Sequence, residues 1–144
     1  MKSELRVRIV CHNPPPAEWE GAPALFGLQD TGGALHPGVD QSDGSIRFEA
    51  EVGLRIEPSG AVRFSGPFVH GPTGQKHLYL SYRHTTEGSP WIGRIKVPLS
   101  FTATEAEQGG VLEVAISAIQ PDGKRARSKV PFIDGGWRLA DAPR

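Results

Sequence analysis

From Ser45 to Glu57 the chain reads SIRFEAEVGLRIE, and every second residue is apolar. Ile46, Phe48, Ala50, Val52, Leu54 and Ile56 alternate with Arg47, Glu49, Glu51, Gly53, Arg55 and Glu57. A helix would scatter these positions around its circumference, whereas a strand sends them all to one side. The stretch therefore predicts a long, half-buried strand whose apolar side needs a cover. Glu57-Pro58-Ser59-Gly60 supplies a turn, and Val62 and Phe64 continue beyond it as a hairpin.

The same alternation recurs along the chain. Leu5, Val7, Ile9 and Cys11 share one face of a first strand, which Pro14-Pro15-Pro16 stops by removing donors. Residues 12–23, with Trp19 among them, read as loop, 24–29 as a second strand, and 31–45 as loop again. Further strands are expected at 77–83, 91–99 and 112–118, and Pro121-Asp122-Gly123 turns the last of these into a return strand at 125–132. Thr102 and Glu105 form a capping box and Gly109-Gly110 a stop, which predicts one short helix.

Eighteen glycines and thirteen prolines punctuate the chain without clustering, as many short strands require. With 144 residues, one β domain spanning 1–144 is the natural size. The expected fold class is all-β: an antiparallel β-sandwich of seven to eight strands with one short helix. A closed or partly open β-barrel satisfies the same alternation.

Charge and cysteine content narrow the function classes. Sixteen basic and sixteen acidic residues cancel, so no overall field favours nucleic acid or an anionic membrane. No apolar run reaches the length of a bilayer span, and the N-terminus lacks a signal-peptide core. The lone Cys11 has no disulfide partner and alternates with core positions. It reads as an inert buried thiol in a reducing, cytoplasmic compartment.

The run GPFVHGPTGQKHLYLSY, residues 66–82, holds the most chemistry-bearing residues. Gly66 and Gly71 have the first spacing of a phosphate loop, but Pro72 stands where its lysine belongs, and a strand follows instead of a helix. His70, His77 and His84 are seven apart, an odd separation that puts strand side chains on opposite faces, so no metal site is expected. Asp40 to Gly44 resembles a fragment of a calcium loop without its closing glutamate. Glu49 and Glu51, flanked by Arg47 and Arg55, read as ion-paired surface. No catalytic residue and no cofactor is expected. Gly-Pro turns before a strand explain the run most simply.

One constellation remains. His77, Tyr79, Ser81 and Arg83 share a face of one strand; Arg94, Lys96 and Pro98 share a face of the next, opposite the apolar parity of Trp91, Ile95, Val97 and Leu99. If the two pair as a hairpin, Arg83, Arg94, Lys96, His77 and Tyr79 form a cationic face beside the His70 and Lys76 loop. Such a face suits a small anionic ligand or an acidic peptide. The plain alternative is a solvated sheet face neutralised by a neighbouring glutamate. An enzymatic alternative is a small hydrolase or lyase with His70 or His77 as general base, and pairing of strand edges into a homodimer is a third. Trp19 and Trp137, outside the expected strands, read as lids on the core and Trp91 as a core residue.

Several segments together resemble a known family: Phe26-Gly27-Leu28-Gln29, Gly66-Pro67-Phe68-Val69-His70-Gly71-Pro72, Leu78-Tyr79-Leu80, Arg94 to Leu99, Val111-Leu112-Glu113 and Gly136-Trp137. They are similar to a family of small bacterial proteins known only as a domain of unknown function. Where that family carries a glycine-rich turn and a cysteine, this chain has Gln120-Pro121-Asp122-Gly123 and Ser128. The resemblance implies a bacterial origin and brings no activity, cofactor or catalytic residue with it.

Overall fold

The computed structural model describes residues 2–72, 75–86, 91–100, 111–117 and 132–139. The Ser45–Glu57 alternation becomes the eleven-residue strand β6 (Ile46–Ile56), whose Phe48, Ala50, Val52 and Leu54 are buried. Before it come β1 (Lys2–His12), β2 (Glu18–Trp19), β3 (Ala22–Gln29), β4 (Leu35–His36) and β5 (Val39–Asp40). After it come β7 (Val62–Ser65), β8 (His77–His84), β9 (Trp91–Pro98), β10 (Val111–Ser117) and β11 (Phe132–Leu139). The described residues contain no helix. The expected helix at 102–110, the turn at 121–123 and residues 125–131 of the expected return strand lie outside the described residues. Trp137, expected outside a strand, belongs to β11.

Two sheets form. One runs β11-β10-β1-β6, with β5 and β7 both on the far edge of β6; the other runs β2-β3-β8-β9, with β4 also on β3. Their apolar sides meet in one core. Val7, Ile9, Val52, Leu112 and Ile116 of the first sheet cluster with Leu28, Leu78, Leu80 and Val97 of the second. Each such fully buried side chain contributes about 1.5–3 kcal/mol, and this core shared between two sheets is what makes the fold a sandwich.

The antiparallel expectation fails at one seam. β1 pairs β10 in parallel, Val7 opposite Leu112 and Cys11 opposite Ile116. Short connections force antiparallel pairing only between neighbours in sequence, and these two strands are distant enough for either sense. The two segments read as loop, 12–23 and 31–45, also carry β2, β4 and β5. At two residues each, these strands are too short to show a period.

The outer face of the first sheet is ion-paired as expected. Arg6 meets Glu51 at 3.3 Å, and Arg8 meets Glu49 at 3.0 Å and Glu113 at 3.3 Å, each pair set by the strand register. Asp40 to Gly44 is a hairpin turn. Gln41 N–H donates to the Ser45 carbonyl, and Asp43 Oδ1 accepts from Ser45 N and Oγ. Trp19 is 8% exposed and packs with Tyr82 and Ile92, the lid position anticipated for it. The Tyr82 hydroxyl donates to the Pro16 carbonyl, which ties the proline run to the same end of the sandwich. Cys11 is fully buried.

Candidate functional site

The second sheet brings the expected cationic face together around residues that period alone did not single out. β8 and β9 pair antiparallel, with Ser81 opposite Arg94, Tyr79 opposite Lys96 and His77 opposite Pro98. On the other side of β8, Gln29 of β3 stands opposite Tyr79. Gln29, Tyr79 and Lys96 therefore form one row across three strands.

The root of the site is the Gln29 side chain. Its Oε1 accepts from the fully buried Ser81 hydroxyl at 2.7 Å and from Arg94 Nη2 at 2.9 Å. The Arg94 guanidinium also lies over the Tyr79 ring, 4.6 Å from its centroid. A bond in the plane and a ring beneath fix an otherwise long and mobile side chain. Lys96 is exposed, and among the described residues neither it nor Lys76 forms an ion pair.

The histidines arrive by a different route from the one their spacing suggested. His70 and His77 exchange both backbone bonds, at 2.9 and 3.0 Å, as an isolated antiparallel bridge. Bridge partners share a face, so the parity argument, valid along one strand, does not apply across this turn. The two rings stack at 6.2 Å between centroids, and both contact Tyr79, at 5.0 and 4.6 Å. Gly71, at φ +96°, makes the approach possible: a Cβ there would stand 2.5 Å from the Gln75 carbonyl oxygen and 2.8 Å from His77 Cε1. Lys76 Nζ donates to the Gly71 carbonyl at 2.6 Å and closes the clip.

Because a carbonyl can only accept, these bonds fix both tautomers. His70 Nε2–H donates to the Gln29 carbonyl at 2.9 Å, and His77 Nδ1–H donates to the Gln75 carbonyl at 3.0 Å. His77 Nε2 is buried without a hydrogen-bond partner. Burial pushes the His77 pKa below the ordinary imidazole value; the bond to Gln75 opposes the shift, and the positive charges of Lys96, His70 and Lys76 add to it.

The fold thus gathers His70, Lys76, His77, Tyr79, Arg94 and Lys96. Arg83 keeps its expected side of β8, but it stands four residues beyond Tyr79, about 13 Å along the strand. A register shift between Tyr82 and Arg83 sets Arg83 opposite Trp91, so the alternation expected from Trp91 to Leu99 breaks at Ile92. Gln29 is the residue missed, and with it the bond that gives Ser81, already expected on this face, its partner. The signal for Gln29 was one polar residue ending the apolar run Ala24 to Leu28.

Neither of two adjoining surface grooves, of about 660 and 290 Å³, touches this face; both follow the edge of β6. Among the described residues no three His, Cys, Asp or Glu side chains gather to hold a metal ion, and no helix is long and apolar enough to cross a membrane. A family model described as a family of unknown function (DUF5990) matches residues 5–140. No curated protein and no solved structure matches the chain.

Proposed function

We propose, for a chain that belongs to the DUF5990 family of unknown function, a non-catalytic binding role: capture of a small anion, carboxylate or phosphate, on the outer face of β8 and β9. The observation that carries the reading is Arg94, oriented by Gln29 Oε1 and the Tyr79 ring beside a Lys96 that has no ion pair among the described residues. A guanidinium already held in place loses little further freedom on binding, and its fixed charge strengthens a hydrogen bond to an anionic oxygen. Lys76 extends the positive field on the side of His70 and His77. Arg83 supplies positive charge farther along β8, at the margin of the site.

Catalysis by His70 or His77 has less support. Each ring commits one nitrogen to a backbone carbonyl, and the second nitrogen of His77 is buried where a substrate proton would have to reach it. The neutral net charge and the single buried cysteine accord with one β domain working in a bacterial cytoplasm.

Thermal unfolding in the presence of inorganic phosphate, citrate and AMP tests the reading. At a hundredfold excess over Kd, a bound anion adds about 2.7 kcal/mol, or roughly 8 °C for a chain of this size. Arg94→Ala and Lys96→Ala should each abolish most of the shift. An equal shift in both variants, or none in the wild type with any anion, refutes the site.

A further inference from the structure

The edge of β6 is incomplete, and the gap has a definite chemistry. β1 lines one side of this strand along nearly all its length. On the other side, β5 pairs only with Ile46 and Arg47, and β7 only with Gly53 to Ile56. Among the described residues no strand lies beside residues 48–52 there.

The backbone direction follows from the two hairpins. Gln41 bonds Ser45 and Glu57 bonds Ala61, so the odd-numbered residues of β6 turn their N–H and C=O toward this edge. Arg47 and Gly53 meet Val39 and Ser65 in that way. Glu49 and Glu51 also face the edge, and among the described residues their backbone groups have no partner on it.

The chain's own continuation cannot supply one. Extending the β5 ladder by one bonded pair sets Pro37 opposite Glu49; extending the β7 ladder sets Pro67 opposite Glu51. Neither proline has an N–H to donate. Gly66, at φ +134°, turns the chain away before Pro67 is reached. The result is open space: the 660 Å³ groove is lined by Glu4, Glu49, Ala50, Glu51, Gly66 and Phe68, and the 290 Å³ groove adjoins it at Glu49 and Phe68.

A second copy of β6 does not fit. Its corresponding edge already carries β5 and β7, which would collide with the same strands here. A short, extended segment fits, because pairing with Glu49 and Glu51 needs only three residues. Its central side chain would point inward beside the small Ala50 and half-buried Phe68. Its two flanking side chains would lie on the polar outer face, where Arg6 already meets Glu51 and Arg8 and Arg47 meet Glu49, and polar side chains suit those places.

We propose that this gap docks an extended peptide segment of polar, apolar, polar pattern, added as a three-residue antiparallel strand opposite Glu49–Glu51. The proposal is independent of the anion site, which lies on the other sheet. Nuclear magnetic resonance on the full ¹⁵N-labelled chain tests it, with the blocked peptide Ac-Gly-Lys-Val-Lys-Gly-NH₂ as probe. In the free protein the Glu49 and Glu51 amides should exchange with solvent at least tenfold faster than those of Arg47 and Gly53. Titration should shift the Glu49 and Glu51 resonances and slow their exchange. The same peptide methylated on both lysine backbone nitrogens keeps its charge and loses its donors, so it should bind at least tenfold more weakly. Protected Glu49 and Glu51 amides in the free chain, shifts centred elsewhere, no shift at millimolar peptide, or equal binding of the methylated peptide would each overturn the proposal.

Discussion

Replacing Gln29 by methionine isolates the bond pair at the root of the anion site. The substitution keeps the side-chain length and deletes the acceptor shared by Ser81 and Arg94. Ser81 is fully buried, so its hydroxyl then lacks a partner, at a cost of about 1–3 kcal/mol. Arg94 is only half-buried and water replaces part of its lost bond, which limits that loss to about 1 kcal/mol. Gln29→Met should therefore destabilise the fold by roughly 2–4 kcal/mol. Ser81→Ala alone removes one neutral bond and leaves Arg94 engaged, for about 0.5–1.5 kcal/mol. The informative case is the double variant. Deleting the orphaned hydroxyl removes the penalty it caused, so Gln29→Met/Ser81→Ala should be more stable than Gln29→Met by about 1 kcal/mol. Equilibrium urea unfolding of the four proteins measures this. A double variant less stable than Gln29→Met by the full cost of Ser81→Ala would mean that the two side chains act independently, and the reasoning fails. The double variant should also show a smaller anion-dependent thermal shift, because Arg94 loses the Gln29 acceptor that orients it.

His77 gives a pH dependence with a definite sign. Its folded pKa is depressed, so below about pH 6.5, the ordinary value, the unfolded chain takes up a proton before the folded one. Stability is complete above that pH and declines on acidification until the folded pKa is reached. Urea midpoints across this window should show the decline and His77→Asn should flatten it; a wild-type midpoint that does not move contradicts the assignment. An anion bound near the ring offsets the surrounding positive charge, so phosphate should raise the His77 titration midpoint followed by its ring proton resonances. Gly71→Ala places a Cβ against the Gln75 carbonyl and the His77 ring at φ +96°, a backbone penalty alone of about 1–2 kcal/mol. Amide exchange at His70 and His77 should accelerate in this variant, and unchanged protection would show that the clip does not depend on the glycine.

The long strands were legible because burial of one face leaves a period of two, as in Ile46–Ile56 and Val111–Ser117. That record stops where a different force sets the geometry. The two-residue strands at Glu18–Trp19, Leu35–His36 and Val39–Asp40 are held by their neighbours' backbones and carry no period. The sense of the β1–β10 pairing is invisible because parallel and antiparallel partners bury the same side chains. His70 and His77 share a face through a turn, to which strand parity does not apply. The candidate site was half legible: Tyr79, Arg94 and Lys96 followed from pairing two adjacent strands. Gln29 did not, since its role depends on a third strand more than forty residues earlier in the sequence.

The parallel seam has a consequence for the newborn chain. β1 is made first yet lies between β6 and β10, so one of its edges has no neighbour until Val111–Ser117 has been synthesised. At about 5–20 residues per second, translation from Ile56 to Val111 takes on the order of 3–10 s. Through that interval a strand of alternating apolar side chains is available to any passing polypeptide. Closing the sheet requires contacts such as Arg8 with Glu113, 105 residues apart, which makes folding slow for a chain of this length. The order of the strands thus leaves one edge of β1 to wait for the last third of the chain.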